Sequence, residues 1–144
     1  VVVDTFYFTD PFRTLEMNPP EGARLQRFLQ DAILRPADVD ALLERRATAA
    51  KLTPAKSNVQ TRLTFENQCS THSTLLELIA QDRPGLLHRV SSTLARQGCN
   101  IEVALIDTQG QMAVDVFYIT CGGGKLDSQM QQCLREALLE ELRS

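Results

Sequence analysis

The sequence predicts an α+β fold, an antiparallel sheet with two helices on one face. Two patterns carry this reading. Short segments between Val59 and Thr120 are strand-like, and at Val59, Thr61, Leu63 and Phe65 apolar-side residues alternate with Gln60, Arg62 and Thr64, the signature of a half-buried strand. Two other segments, after Pro84 and after Asp127, space their apolar residues three and four apart, as one face of a helix requires.

Taken in order, residues 2–9 are β-branched and aromatic on both faces, which predicts a central strand. Pro11 ends it, and Pro19-Pro20 with Gly22 mark a loop before a helix over residues 23–35, stopped by Pro36. Residues 37–50 offer only Val39, Leu42 and Leu43 as an apolar stripe, a short helix at most. A polar linker follows over residues 51–57, around Pro54. The strand from Val59 turns at residues 67–70 into a second strand over 73–81. Pro84 suits a first helical turn, Leu87, Val90, Ser91 and Leu94 form the stripe, and Gly98 suits the C-terminal cap. Residues 101–108 and 112–120 are two strands joined around Gln109-Gly110, a hairpin turn. Gly122-Gly123-Gly124 loosens the chain before a last helix from Asp127 to about Leu142.

From Val59 the order is therefore strand, strand, helix, strand, strand, helix. The split βαβ unit ends instead on a strand lying antiparallel beside its first. The strand at 59–66 is expected to fill that place, paired with 73–81, so residues 58–144 read as one complete, circularly permuted unit. An internal repeat supports the division. Val2-Val3-Asp4-Thr5-Phe6-Tyr7-Phe8-Thr9 matches Ala113-Val114-Asp115-Val116-Phe117-Tyr118-Ile119-Thr120. Leu25, Phe28, Leu29, Ala32 and Ile33 recur as Met130, Cys133, Leu134, Ala137 and Leu138. Residues 1–35 are thus expected to be the C-terminal part of a preceding unit, and 36–57 a linker with a short helix. The chain opens on Val1 in a strand-like run, which reads as a fragment of a longer protein.

A net charge of −3 gives no electrostatic reason to expect nucleic acid. No apolar stretch approaches the roughly 18–20 residues that span a bilayer, and none resembles a signal peptide. Cys69, Cys99, Cys121 and Cys133 lack metal-ligand spacing, so they are expected to be reduced thiols of a cytoplasmic protein, without disulfide or zinc.

The chemistry points to residues 82–87, Asp-Arg-Pro-Gly-Leu-Leu. A strand, a tight loop and a helix start place backbone N–H groups where a small anion can sit, and glycine allows close approach. Asp82 would meet a ligand ammonium, while the N–H groups of Gly85, Leu86 and Leu87 receive a carboxylate. The competing reading is structural: Asp82 or Arg83 caps the helix, Pro84 sets its first turn and the leucines fill the core. His72 and His88 have no nucleophile at a catalytic spacing. Gly122-Gly123-Gly124-Lys125 lacks the Ser or Thr of a phosphate loop and reads as a flexible connector. Asp4 and Asp115, inside strands, are expected to pair with a basic side chain or face water at an edge.

The run at 82–87, with Gly98-Cys99-Asn100-Ile101, Ile106-Asp107-Thr108-Gln109-Gly110 and Ala113 to Tyr118, resembles the ACT domain. The Asp-Val-Phe-Tyr block and its earlier copy at Asp4-Thr5-Phe6-Tyr7 make it most similar to the carboxy-terminal tandem ACT domains of the PII uridylyltransferase family. The resemblance implies a ferredoxin-like fold and a regulatory module that binds an amino-acid effector, glutamine in that family. It implies no catalytic residue in this chain, no cofactor, and control of catalytic domains lying upstream. Its site would comprise Asp82, Arg83, Pro84, Gly85, Leu86 and Leu87, with Asn100 and Ile101 from the facing strand, often where two units meet. The implied partners are the neighbouring ACT unit, the upstream catalytic domain and a second copy in a homodimer, with no nucleic acid and no membrane. Two alternatives stay open: a structural ACT unit for domain contact or dimerisation, and a tandem ACT-repeat protein or ACT-regulated amino-acid-metabolic enzyme.

Overall fold

The computed structural model describes Tyr7 and residues 9–35, 41–45 and 59–143. The chain divides into two compact units, Val1–Arg45 and Arg46–Ser144. In the first, a single turn α1 (Thr14–Met17) precedes α2 (Pro19–Leu34). The helix expected from residue 23 starts at Pro19 instead. Pro19 and Pro20 occupy its first positions, where an N–H would have no intrahelical partner, so the prolines open the helix rather than precede it. Phe28 and Leu29 on α2 are half exposed. Residues 41–45 form a helical turn that includes Leu42 and Leu43. Most of the strand expected at 2–9, together with Asp4, Val39 and the linker at 51–57, lies outside the described residues.

The second unit runs β1 (Arg62–Glu66), β2 (Thr74–Gln81), α3 (Leu86–Arg96), β3 (Cys99–Leu105), β4 (Thr108–Gln109), β5 (Met112–Cys121) and α4 (Ser128–Arg143). The sheet order is β1-β2-β5-β3, with β4 also on β5, and every pairing is antiparallel. The expected pairing of the first two strands is present, with Leu63 opposite Leu78 and Phe65 opposite Leu76. Alternation along β2 and β5 turns Leu76, Leu78, Phe117 and Ile119 under the helices. There they meet Leu86, Val90 and Leu94 of α3 and Leu134, Leu138 and Leu142 of α4 in one core. The sequence shows a single strand over 101–108; a register shift between Ile101 and Val103 bends it, and it resumes as the short β4.

Side chains close the ends of the layers. Thr74, fully buried, donates from Oγ1 to Asn67 Oδ1 at 2.6 Å and accepts from the Leu126 N–H at 2.8 Å. Asn67 Nδ2 completes the ring by donating to the Leu126 carbonyl at 2.9 Å. Asp127 caps α4, its Oδ1 accepting from the Met130 N–H at 2.8 Å. Arg135 reaches from α4 to the Leu63 carbonyl at 2.6 Å and lies 5.1 Å from the Phe65 ring centroid. The triple glycine is an ordered turn, closed by reciprocal hydrogen bonds between Cys121 and Gly124.

One expectation is overturned. Cys99 and Cys121 are not reduced thiols but a disulfide, with Cα atoms 4.3 Å apart. Their separation of 22 residues follows no ligand or framework spacing. The hairpin register, however, sets Cys99 directly opposite Cys121 on neighbouring strands, at the separation of a closely spaced antiparallel pair. Cys69 and Cys133 are free and exposed.

Candidate functional site

Strand β2 delivers the chain at Gln81 to the end of the sheet where β5 begins, and the Asp82 N–H donates to the Gln111 carbonyl at 2.8 Å. The chain then turns through Pro84-Gly85 into α3. Leu86 N–H donates to the Arg83 carbonyl at 3.1 Å, and Arg89 N–H to the Gly85 carbonyl at 3.0 Å. Pro84 therefore stands in the turn, not inside the helix, and Gly85 is the N-cap. Its φ of 85° is left-handed, a conformation that costs any residue with a Cβ. The space where a Cβ would project is open, with nothing within 4 Å.

No side chain caps α3, so neither Asp82 nor Arg83 acts as the cap of the structural reading. Asp82, Pro84 and Leu87 face outward, whereas Leu86 is core. Arg83 turns across to the other helix and donates from Nη2 to the Leu142 carbonyl. Arg89 adds a bond to the Glu141 carbonyl at 3.3 Å. These cations meet the negative end of the α4 dipole.

Asn100 and Ile101 stand elsewhere. Asn100 is opposite Thr120, and Ile119 is opposite Thr74, the first residue of β2. The crossover helix returns the chain to the start of the sheet, so β3 begins at the end far from residues 82–87. Within one chain the two halves of the expected site do not converge. Asn100 Nδ2 instead donates to Glu102 Oε1 at 3.0 Å, and Thr120 Oγ1 donates to the same oxygen at 3.0 Å. The Asn100 bond first, then that of Thr120, holds the Glu102 carboxyl below its usual range. Ile101 packs against the core.

The loop end of the sheet holds an acid that sequence reasoning misplaced. Asp115 neither meets water nor sits at an edge. It is 2% exposed on the central strand β5, and its Oδ1 is buried without a hydrogen-bond partner. Burial pushes its carboxyl up, the Asp107 backbone N–H pulls it back, and the charges of Asp82 and Asp107 push it up further. The signal was the repeated Asp before Phe-Tyr, but strand alternation alone puts that position on the helix side with Ala113 and Phe117. An exposed carboxylate, a buried one and a helix start with open space above Gly85 thus share one end of the sheet. Such a set suits a small zwitterion. Among the described residues no group of three or more His, Cys, Asp or Glu is arranged to hold a metal ion, and no helix is long and apolar enough to cross a membrane.

Comparison with known proteins agrees with the fold. Residues 74–129 match the model of the ACT domain, from the first residue of β2 to the start of α4. The chain is 35% identical over 147 residues to a bifunctional uridylyltransferase/uridylyl-removing enzyme of Caulobacter vibrioides, covering 97% of this chain and 15% of the relative. A protein of the same description from Gluconobacter oxydans is 32% identical over 149 residues, covering 100% of this chain and 16% of the relative. One from Vibrio campbellii is 43% identical over 86 residues, covering 59% of this chain and 10% of the relative. The chain thus spans only a small part of the length of the curated relatives it matches.

Proposed function

The chain belongs to the ACT domain family through residues 74–129, and from that premise we propose that it is an effector-sensing module of a uridylyltransferase/uridylyl-removing enzyme. It senses an amino acid, glutamine first among candidates, and controls a catalytic domain carried elsewhere in the longer protein, in the cytoplasm. The observation that carries this reading is the junction at Gly85, a left-handed N-cap with open space above it. The effector carboxylate is received there by N–H groups at the positive end of α3, and its ammonium by Asp82.

Asn100 enters from a second copy. Among the described residues β3 is an edge strand with Val103 and Leu105 exposed, a row open to another strand. Antiparallel pairing with the β3 of a second copy sets the start of one strand beside the end of the other. Asn100 of that copy then lies toward the 82–87 end of the first, where its amide reads the effector amide as both donor and acceptor.

Calorimetric titration of the chain with glutamine, alongside equilibrium sedimentation, tests the reading. Binding that is weakened by Asp82→Asn and by Asn100→Ala, in a dimeric chain, supports it. A chain that dimerises but shows no heat with glutamine favours the structural alternative, which the engagement of Arg83 and Leu86 inside the fold makes the second reading.

A further inference from the structure

Three of the four cysteines line one cavity. Cys99, Cys121 and Cys133, with Gln97, Gln129, Met130 and Leu134, enclose about 180 Å³ between the start of β3, the end of β5 and the first turns of α4. Two of these sulfurs are joined in the cross-strand disulfide, and the third is a free thiol exposed to solvent. Cys121 is buried and Cys99 half-buried while Cys133 is exposed, so a reagent entering from solvent meets Cys133 first. The walls contributed by Met130 and Leu134 are apolar, and the amides of Gln97 and Gln129 offer donors and acceptors suited to peptide groups. A disulfide and a free thiol lining one cavity are the reactants of sulfur exchange.

We propose that this cavity is a thiol–disulfide exchange site, in which Cys133 receives a sulfur from a low-molecular-weight peptide disulfide and passes the oxidation to the Cys99–Cys121 pair. In the reduced protein the Cys133 thiolate attacks one sulfur of the small disulfide, forming a mixed disulfide and releasing one small thiolate. The thiolate of Cys99 or Cys121 then attacks the Cys133 sulfur, forming an internal disulfide and releasing the second small thiolate. Attack by the remaining cysteine of the pair gives Cys99–Cys121 and returns Cys133 to a thiolate. Two protein thiols lose two electrons in all, and the small disulfide gains them as two thiols. Run backwards with a small thiol, the same steps reduce the pair. The less accessible pair, with Cys121 buried and Cys99 half-buried, stores the oxidation and the exposed thiol exchanges it, the division of labour that access to sulfur imposes.

The chain is reduced, mixed with glutathione disulfide, quenched by alkylation at intervals and mapped by peptide mass spectrometry. The expected product is Cys99–Cys121 with Cys133 alkylated, preceded by a glutathione adduct on Cys133. Cys133→Ser and Cys133→Ala should each slow formation of the pair by about tenfold or more, while Cys69→Ser should oxidise at the unaltered rate. In Cys99→Ser, oxidation should stop at Cys121–Cys133 or at the Cys133 adduct. Circular dichroism confirms that each variant is folded before its rate is read. Formation of the pair at an unaltered rate without Cys133 overturns the relay. So does a Cys133 adduct that persists while Cys99 and Cys121 remain thiols.

Discussion

Arg83, in the turn before α3, donates to the backbone carbonyl of Leu142 in the last turn of α4, so one residue of the 82–87 loop holds the C-terminus of the opposite helix. The last carbonyls of a helix have no intrahelical partner, and a guanidinium satisfies them and its dipole together. Arg83→Met should therefore lower stability by about 1.5–3 kcal/mol in urea unfolding, the net worth of a charged hydrogen bond. A midpoint equal to that of the parent chain would show that the contact contributes nothing in solution.

Gly85 separates two causes that sequence alone merges. A Cβ there meets nothing within 4 Å, so crowding does not demand glycine; the left-handed φ does. Gly85→Ala should cost about 1 kcal/mol of stability and should also narrow the space open to an effector. Gly85→Asn, a residue that tolerates this conformation, should recover most of the stability but not glutamine binding. Thermal unfolding and titration of both variants read the two effects apart, and recovered binding in the Asn variant would place the effector away from Gly85.

The second unit was legible because its signals are local. Alternation in β2 and β5, the left-handed Gly98 after α3, the Gly110 turn and the Asp127 cap each act within a few residues of their cause. What escaped is set by register. Cys99 meets Cys121, and Asn100 leaves the 82–87 loop, only in the register that β3 takes on β5; the Gln109-Gly110 turn announces the pairing, but the shift between Ile101 and Val103 that sets this register has no signal along the chain. Pro19 and Pro20 misled for another reason, since proline both ends a segment and opens a helix, and only the following turns decide which.

Asp115 sets a pH dependence with a definite sign. Its folded pKa is raised, so between the ordinary carboxylate value and the raised one the folded chain holds a proton that the unfolded chain has released. Stability from this residue falls as pH rises through that window, and the cost of the buried charge is complete above it. Asp115→Asn should remove that cost, raising stability at about pH 7 by about 1 kcal/mol while changing little near about pH 4. Urea unfolding at both values checks it. A variant less stable than the parent at neutral pH would mean that the Asp107 N–H bond to the carboxylate outweighs the desolvation.

Thr74 offers the sharpest test of the fold itself. Its hydroxyl both gives and takes through one atom, donating to Asn67 Oδ1 and accepting from the Leu126 N–H. Thr74→Val keeps the volume and the β-branched shape at a fully buried position, so packing is little changed. It nevertheless leaves the Leu126 N–H, bonded only through that hydroxyl in the buried ring, facing a methyl group. Stranding a buried donor costs about 1–3 kcal/mol, and the loss should appear in full in urea unfolding. Asn67→Ala removes a second member of the same ring. Because both variants break shared bonds, the double variant should lose less than the sum of the two single losses. Strict additivity would show that the three residues do not act as one unit.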